Sequence, residues 1–487
     1  MQPMHQLLQK DTALPYLFKN HQNEDIKLCF QLYKSKEKQL QLVASAFTQY
    51  IHGLGVGLIA HVEAQPVEPS VHQAQSIIQD TRVIENLIKI LDEAQTLLIE
   101  CFEKTTMFER AKANAFEEFI NKQIKGLSFA ELLGTYTDKL LRKGGYKSVE
   151  EVSNADQLDV YLEKLVHLFT HLSDKDVFID VYRNLLAKRL LNDKCESYDT
   201  EKLLLNQIKI NCGGSVTKKC EGMLHDLNTA ENEMKKFNET PESQRLPLEF
   251  KVQVLTSAFW PTYKKYEVQI PPQISSCINI FENFYKAQQT SMHKQLTWCY
   301  ANGHAEVRGQ FAEGKSFDFV VSSIQMCILL VFNYQDELSF AEIKQAMKFE
   351  DDVCKKNIFS LMMKNSKVLK KLTSPDSKSI LDEDKFTVND EFTSQLRKIT
   401  VPVPIVETVY AKNRVEQDRS HAIEAAIVRI MKNRKILEHE KLIEEVRQHL
   451  MNFTPAIAQI QSKIDNMIER EYLAREEKDE KVYKYLA

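Results

Sequence analysis

Apolar residues recur at three- and four-residue steps from Ile84, so that Ile84, Leu87, Ile88, Leu91, Leu98 and Phe102 fall on one face of a long predicted helix. A second helical run spans Asp156 through Leu172. Asp174 then stands where it can cap a further helix carrying Val177, Phe178, Val181, Tyr182, Leu185 and Leu186, and the two are expected to pack as antiparallel neighbours. The polar stretch NETPESQRLP, Asn238 to Pro247, ends this texture and marks a domain boundary. Beyond it the period changes to two. Phe250, Val252 and Val254 alternate with Lys251 and Gln253, and Phe317 to Val321 forms another β-prone run behind Gly314, so a small sheet is expected.

Ser339 with Glu342 has the spacing of a capping box that opens a short helix, and Asp351 to Met363 reads as the next one. The β-prone runs Val368 to Leu372 and Lys385 to Val388 follow, which together predict a winged helix. The arrangement recurs after the VPVP segment Val401 to Pro404 and a charged connecting helix. Here His421 to Asn433, Glu438 to Leu450 and Pro455 to Glu471 read as helices, with Thr454 and Pro455 as cap and first helical residue. Tyr472 to Arg475 and Val482 to Leu486, either side of the charged turn EEKDEK, complete a second winged helix.

Composition sharpens the fold class. With only 13 glycines and 13 prolines in 487 residues, punctuation is too scarce for many short strands, so the fold is mainly α with a smaller α+β part. A net charge of -4 gives no general attraction to phosphate backbones. Met1 to Lys10 has no secretory pattern and no run of 18 apolar residues follows, so a cytoplasmic or nuclear protein without membrane contact is expected, its cysteines reduced.

The candidate chemistry is sparse. Cys212, Cys220 and His225 lack CxxC spacing and a second pair, so no metal and no cofactor are expected. Gly53, Gly55 and Gly57 in GLGVG do not fit a dinucleotide-binding fingerprint, and no P-loop or nucleophile elbow is present. The second winged helix leaves open a nucleic-acid-binding regulator as the alternative class. Its third helix nevertheless sets Lys463 and Arg470 against Asp465, Glu469 and Glu471, a poor match to phosphate.

Several blocks resemble the cullin family in the family's own order: LSDKDVFIDVYRNLLAKRLL (Leu172 to Leu191), CGGSVTKKCEGM (Cys212 to Met223), VQVLTSAFWP (Val252 to Pro261), LTW (Leu296 to Trp298) and FTVNDEFTSQLRKI (Phe386 to Ile399). DRSHAIEAAIVRIMKNRKILEHEKLIEEV (Asp418 to Val446) and the closing IEREYLAREEKDEKVYKYLA (Ile468 to Ala487) carry the resemblance furthest. It covers Arg82 to Ala487 well and the first eighty residues faintly. On this resemblance, residues 1–125 are a partial cullin-repeat region, 126–245 a helical bundle, 246–333 an α/β domain, 334–400 the first winged helix, 401–420 a linker with a connecting helix, and 421–487 the second winged helix. The family's three repeats are expected to be represented here by part of the last, so the resemblance specifies no substrate adaptor.

The resemblance implies a non-enzymatic scaffold of a ubiquitin ligase. Its partners would be a RING-box protein, a transient ubiquitin-conjugating enzyme, and a ubiquitin-like modifier joined to Lys432 in IVRIMK. By spacing alone Lys432 is one more solvated lysine. The strand Val252, Val254, Leu255 with Phe259 and Trp260 would receive a strand from the RING partner, Trp260 acting as anchor; by pattern alone it is a half-buried strand. Arg142, Lys143, Lys147, Lys188 and Arg189 would form a basic groove that steers the conjugating enzyme, where charge pattern alone reads as a solvated face.

Overall fold

The computed structural model describes residues 14–64, 82–149, 152–263, 268–288, 294–311, 314–348, 350–363, 367–373, 377, 379–404, 410–450, 452–476 and 479–486. Met1 to Lys10 and the centre of the EEKDEK turn lie outside them. The chain forms two compact units, one of residues 1–224 with 409–487 and one of residues 225–408.

The first unit begins with α1 (Leu14–Lys19), α2 (Asn23–Tyr33), α3 (Glu37–Ala64), α4 (Arg82–Glu100) and α5 (Thr106–Ile120). All six apolar positions of the Ile84 stripe are buried, as the spacing requires. By length and mean hydropathy α3 could cross a membrane, although it holds no unbroken run of 18 apolar residues. In this structure its buried face, with Val43, Phe47, Ile51 and Ile59, packs on α4 and α5. The GLGVG run finds its meaning there. Gly55 is buried where a Cβ would overlap the ring of Phe119, whereas nothing lies near Gly53 or Gly57. The central glycine therefore permits close approach of α3 and α5.

A two-stranded ribbon, β1 (Gln123–Ile124) with β2 (Leu127–Ser128), leads into α6 (Phe129–Leu141), then α7 (Ala155–Thr170), α8 (Lys175–Leu191), α9 (Tyr198–Cys212) and α10 (Gly214–Asn238). Ser128 and Glu131 form a full capping box on α6. Contrary to the expected pairing of α7 with α8, α8 packs chiefly on α6 while α7 packs on α9, α4 and α6. Loop length alone does not choose among several available apolar faces. Asp174 precedes α8 without capping it through its side chain; its carboxylate is engaged elsewhere.

The same unit contains the second winged helix: α15 (Tyr410–Arg434), β9 (Ile436–Glu438), α16 (His439–His449), α17 (Ile457–Glu469), β10 (Leu473–Glu476) and β11 (Asp479–Tyr485). Its sheet runs β10-β11-β9, all antiparallel, with Tyr483 opposite Leu437. Ile427, Ile430, Met431, Leu442, Val446, Ile460 and Ile464 fill its core. The cap of α17 is Ala456, not Thr454, and its N–H donates to Gln459 Oε1 at 3.2 Å. Arg419 on α15 explains Asp174. Its guanidinium donates to Asp174 Oδ1 at 2.8 Å and to both oxygens of Asp176, at 2.5 and 2.7 Å, and lies 4.9 Å from the centre of the Phe453 ring.

In the second unit, α11 (Pro272–Ala287) is followed by β3 (His304–Gln310), β4 (Ser316–Ser322) and α12 (Ser323–Val331). Then come β5 (Glu337–Ser339), α13 (Phe340–Met347), α14 (Asp351–Met362), β6 (Leu369–Lys371), β7 (Lys385–Val388) and β8 (Lys398–Thr400). β3 pairs antiparallel with β4, and β8 returns parallel to β4 with Ile399 opposite Phe319. The first winged helix has the sheet β5-β7-β6, and Ser339 and Glu342 form the expected capping box. One core, through Phe319, Ile328, Ile343, Ile358, Phe386 and Ile399, joins both sheets. The fold is thus mainly α with small sheets and two winged helices, the class read from the sequence.

Candidate functional site

Residues 250–254 alternate between half-buried and exposed, as the sequence pattern requires, yet residues 250–255 belong to no sheet among the described residues. This corrects the expected strand pairing. Phe250, Val252 and Val254 instead lie on a small core of Met234, Phe237, Phe281 and Tyr285. Among the described residues the Val252 N–H donates to the soft sulfur of Met234, at 3.5 Å. A second stretch outside any helix or strand, residues 294–299, behaves alike. Leu296 and Trp298 face the same core, and the Trp298 ring lies 6.4 Å from that of Phe250. Trp298 Nε1 donates to Glu282 Oε1 at 2.7 Å, and this bond with the one from Lys286 holds the Glu282 carboxyl below its usual range.

Asp226, on α10, fixes where the first segment ends. Its Oδ2 accepts from the Thr256 N–H at 2.7 Å and from Trp260 Nε1 at 2.9 Å, and Oδ1 accepts the Thr256 hydroxyl at 3.0 Å. Trp260 is 4% exposed. It is therefore committed to its own chain and is not a free anchor for a partner, while Leu255 and Phe259 remain half-buried. Sequence reading missed Asp226. The available signal was a carboxylate on the helical stripe of Ala230, Met234 and Phe237, a face otherwise committed to burial.

The basic residues divide. Arg142, Lys143, Lys147 and Lys188 are exposed. The bridge between Arg142 and Cys195, with the Lys143 N–H donating to Lys194 O, brings the end of α6 beside the segment that follows α8, which adds exposed Lys194. Carboxylates interleave with them: Arg142 pairs with Asp138 at 2.5 Å and Lys143 with Asp193 at 3.2 Å. Arg189 does not belong to such a surface. It is 2% exposed, donates to Glu201 Oε1 at 3.0 and 2.7 Å and also to Asp138, and Tyr182 donates to Glu201 Oε2 at 2.5 Å. Burial works against its charge, but Glu201, Tyr182 and Asp138 outweigh burial and raise its pKa. Glu201 shares a stripe with buried Leu204, Leu205 and Ile208, a signal of the same kind as Asp226.

Lys432 lies in the last turn of α15 and is exposed, while its neighbours Ile430 and Met431 are buried. The helix thus holds its root rigid and leaves the ammonium to solvent. Among the described residues no group of three His, Cys, Asp or Glu side chains is arranged to hold a metal ion. Cys220 is buried, and burial pushes its thiol up to about 12.

A helical first region, an α+β unit and a winged helix whose exposed lysines include Lys432 define a multi-domain helical platform. Family profiles assign the parts: a cullin alpha solenoid domain over residues 1–234, a cullin alpha+beta domain over 254–392 and a cullin protein neddylation domain over 418–479. The chain belongs to the cullin family. It is 34% identical to Cullin-1 of Oryza sativa subsp. japonica over 99% of its length and 64% of the relative's. Cullin-2 of Arabidopsis thaliana is 34% identical over 97% and 63%, and human Cullin-4A 32% identical over 99% and 60%. The likeness therefore extends through the first eighty residues, further than the sequence blocks indicated. The chain spans just under two thirds of the length of these relatives.

Proposed function

We propose that this chain is the non-catalytic scaffold of a cullin-RING ubiquitin ligase. The observation that supports the reading is the run of residues 250–255, where Phe250, Val252 and Val254 are seated on a core while the backbone joins no strand among the described residues. A strand from a RING-box subunit added there supplies the missing backbone partners, and alternate side chains give specificity. Val252, Val254, Leu255 and Phe259 contribute the surface, and Asp226 with Trp260 holds its end in place. Arg142, Lys143, Lys147 and Lys188 steer an acidic conjugating enzyme, and because carboxylates flank two of them the attraction is modest and salt-sensitive. Lys432 accepts a ubiquitin-like modifier through an isopeptide bond. Catalysis comes from the partners, and the scaffold contributes proximity.

The test is co-expression with a RING-box subunit followed by amide exchange. The amides of residues 251–255 should gain protection in the complex; capture without protection there, or no capture at low salt, refutes the docking. Incubation with the modifier and its conjugating enzymes should place the adduct on Lys432 by mass mapping, and Lys432→Arg should remove it. An adduct on another lysine overturns the assignment.

A further inference from the structure

The first unit contains a cavity of about 300 Å³ that the scaffold function does not use. Lys104, Lys112, His167 and His171 line it, with Glu109 the carboxylate in its wall. Lys112 is 5% exposed and His171 is 8% exposed, so neither polar group is an ordinary surface side chain. Lys112 Nζ donates to Gln95 Oε1 at 2.8 Å and lies 3.5 Å from His167 Nε2. An ammonium has three protons to donate, so these contacts leave it short of an acceptor. His171 Nε2 is shut off from solvent and has no hydrogen-bond partner among the described residues. The ring cannot readily turn to find one, because it stacks on Phe116 at 5.4 Å and lies 5.3 Å from His167.

A buried polar group left without a hydrogen bond is destabilising, which favours any ligand that supplies the bond. Water in the cavity can supply bonds, but it cannot balance two lysines set against one carboxylate. Burial first, then neighbouring cations, pushes His171 down to about 3; His167, Lys112 and Lys175 all act on it in the same direction. Lys104 and Lys112 against Glu109 leave the lining one positive charge in excess, and burial lowers the pKa of Lys112, so an anion beside it would favour its charged form. Its volume is at the small end for ligand pockets.

We propose that this cavity binds a small oxyanion of the phosphate class, free phosphate or a phosphomonoester, with Lys112 and His171 as the donors. Lys112 supplies the charge and His171 the oriented N–H, and Glu109 limits how much negative charge the site accepts.

The experiment titrates the full chain with inorganic phosphate and, separately, with glycerol 2-phosphate at constant ionic strength, followed by calorimetry. One saturable site is expected, the tighter ligand identifying the source. Lys112→Met and His171→Phe should each weaken binding by at least about tenfold, since each removes a hydrogen bond to a charged group, while Lys122→Met at the surface leaves it unchanged. A second reading needs no variant. Phosphate should slow acetylation of Lys112 by acetic anhydride, mapped by mass spectrometry, without slowing that of Lys122. Absence of saturable binding by both ligands, binding indifferent to both cavity substitutions, or an unprotected Lys112 overturns the proposal.

Discussion

Replacing Asp226 tests whether the docking segment is preset by its own chain. Asp226→Ala removes an acceptor that receives three donors at 2.7, 3.0 and 2.9 Å and leaves the indole N–H of a buried Trp260 unpaired. A buried donor left unsatisfied costs about 1–3 kcal/mol, and hydrogen bonds to a charged group carry about 1.5–3 kcal/mol each without adding fully, so a loss of about 3 kcal/mol is expected. For a unit running from His225 to Thr408 this lowers its melting transition by about 6–12 °C. Asp226→Asn is the discriminating companion. Its carbonyl can take the place of Oδ2 and serve both N–H groups, and its amide can donate to the Thr256 hydroxyl, so only the charge is lost and about 1 kcal/mol is expected. Differential scanning calorimetry reads the stability, and capture of a RING-box subunit reads the docking, with the alanine variant expected to be weakest in both. Equal stability of the wild type and Asp226→Ala would refute the reasoning, and so would an asparagine variant as damaged as the alanine one.

Arg189→Ala should cost about 3–5 kcal/mol because it leaves buried Glu201 with no cation and takes from Asp138 one of its two arginine partners, whereas Lys188→Ala should stay within about 0.5 kcal/mol in denaturant titration. Gly55→Ala should destabilise by about 1–3 kcal/mol through its overlap with Phe119, while Gly53→Ala should stabilise by about 0.5–1 kcal/mol; thermal unfolding compares them. The unfolded chain takes up a proton on His171 as pH falls through about 6.5, and the folded chain not until about 3, held off by burial and by His167, Lys112 and Lys175. The ring's contribution is therefore complete above that window and is lost as pH falls across it, at a slope approaching about 1.4 kcal/mol per unit, which His171→Phe should remove from the stability profile.

The helices were legible because amphipathic spacing reports burial, and every position of the Ile84 stripe is inside. The Ser339 capping box was legible because its bonds span three residues. Alternation in residues 250–255 was read correctly as half-burial and wrongly as pairing, since a ladder depends on a second strand that the local pattern cannot show. β9 escaped for the same reason: its three residues lie between helices and gain meaning only opposite β11. Arg189 was misplaced because a run of basic residues looks alike whether solvated or buried, and its partners Asp138 and Glu201 are 51 and 12 positions away. The exposure of Lys432 followed from helix periodicity; its proposed role came from family likeness and from no local physics.

The Arg419 clamp bears on how the chain is made. The aspartates that receive it precede the arginine by up to 245 positions. At about 5–20 residues per second, a ribosome needs about 12–50 s to bridge that distance. Through that interval the start of α8 waits with Asp174 and Asp176 unclaimed, its helix dipole the local consolation for their charge. The helical body is thus completed by a segment synthesised much later, and a nascent chain stalled before Arg419 would emerge with that body unsealed.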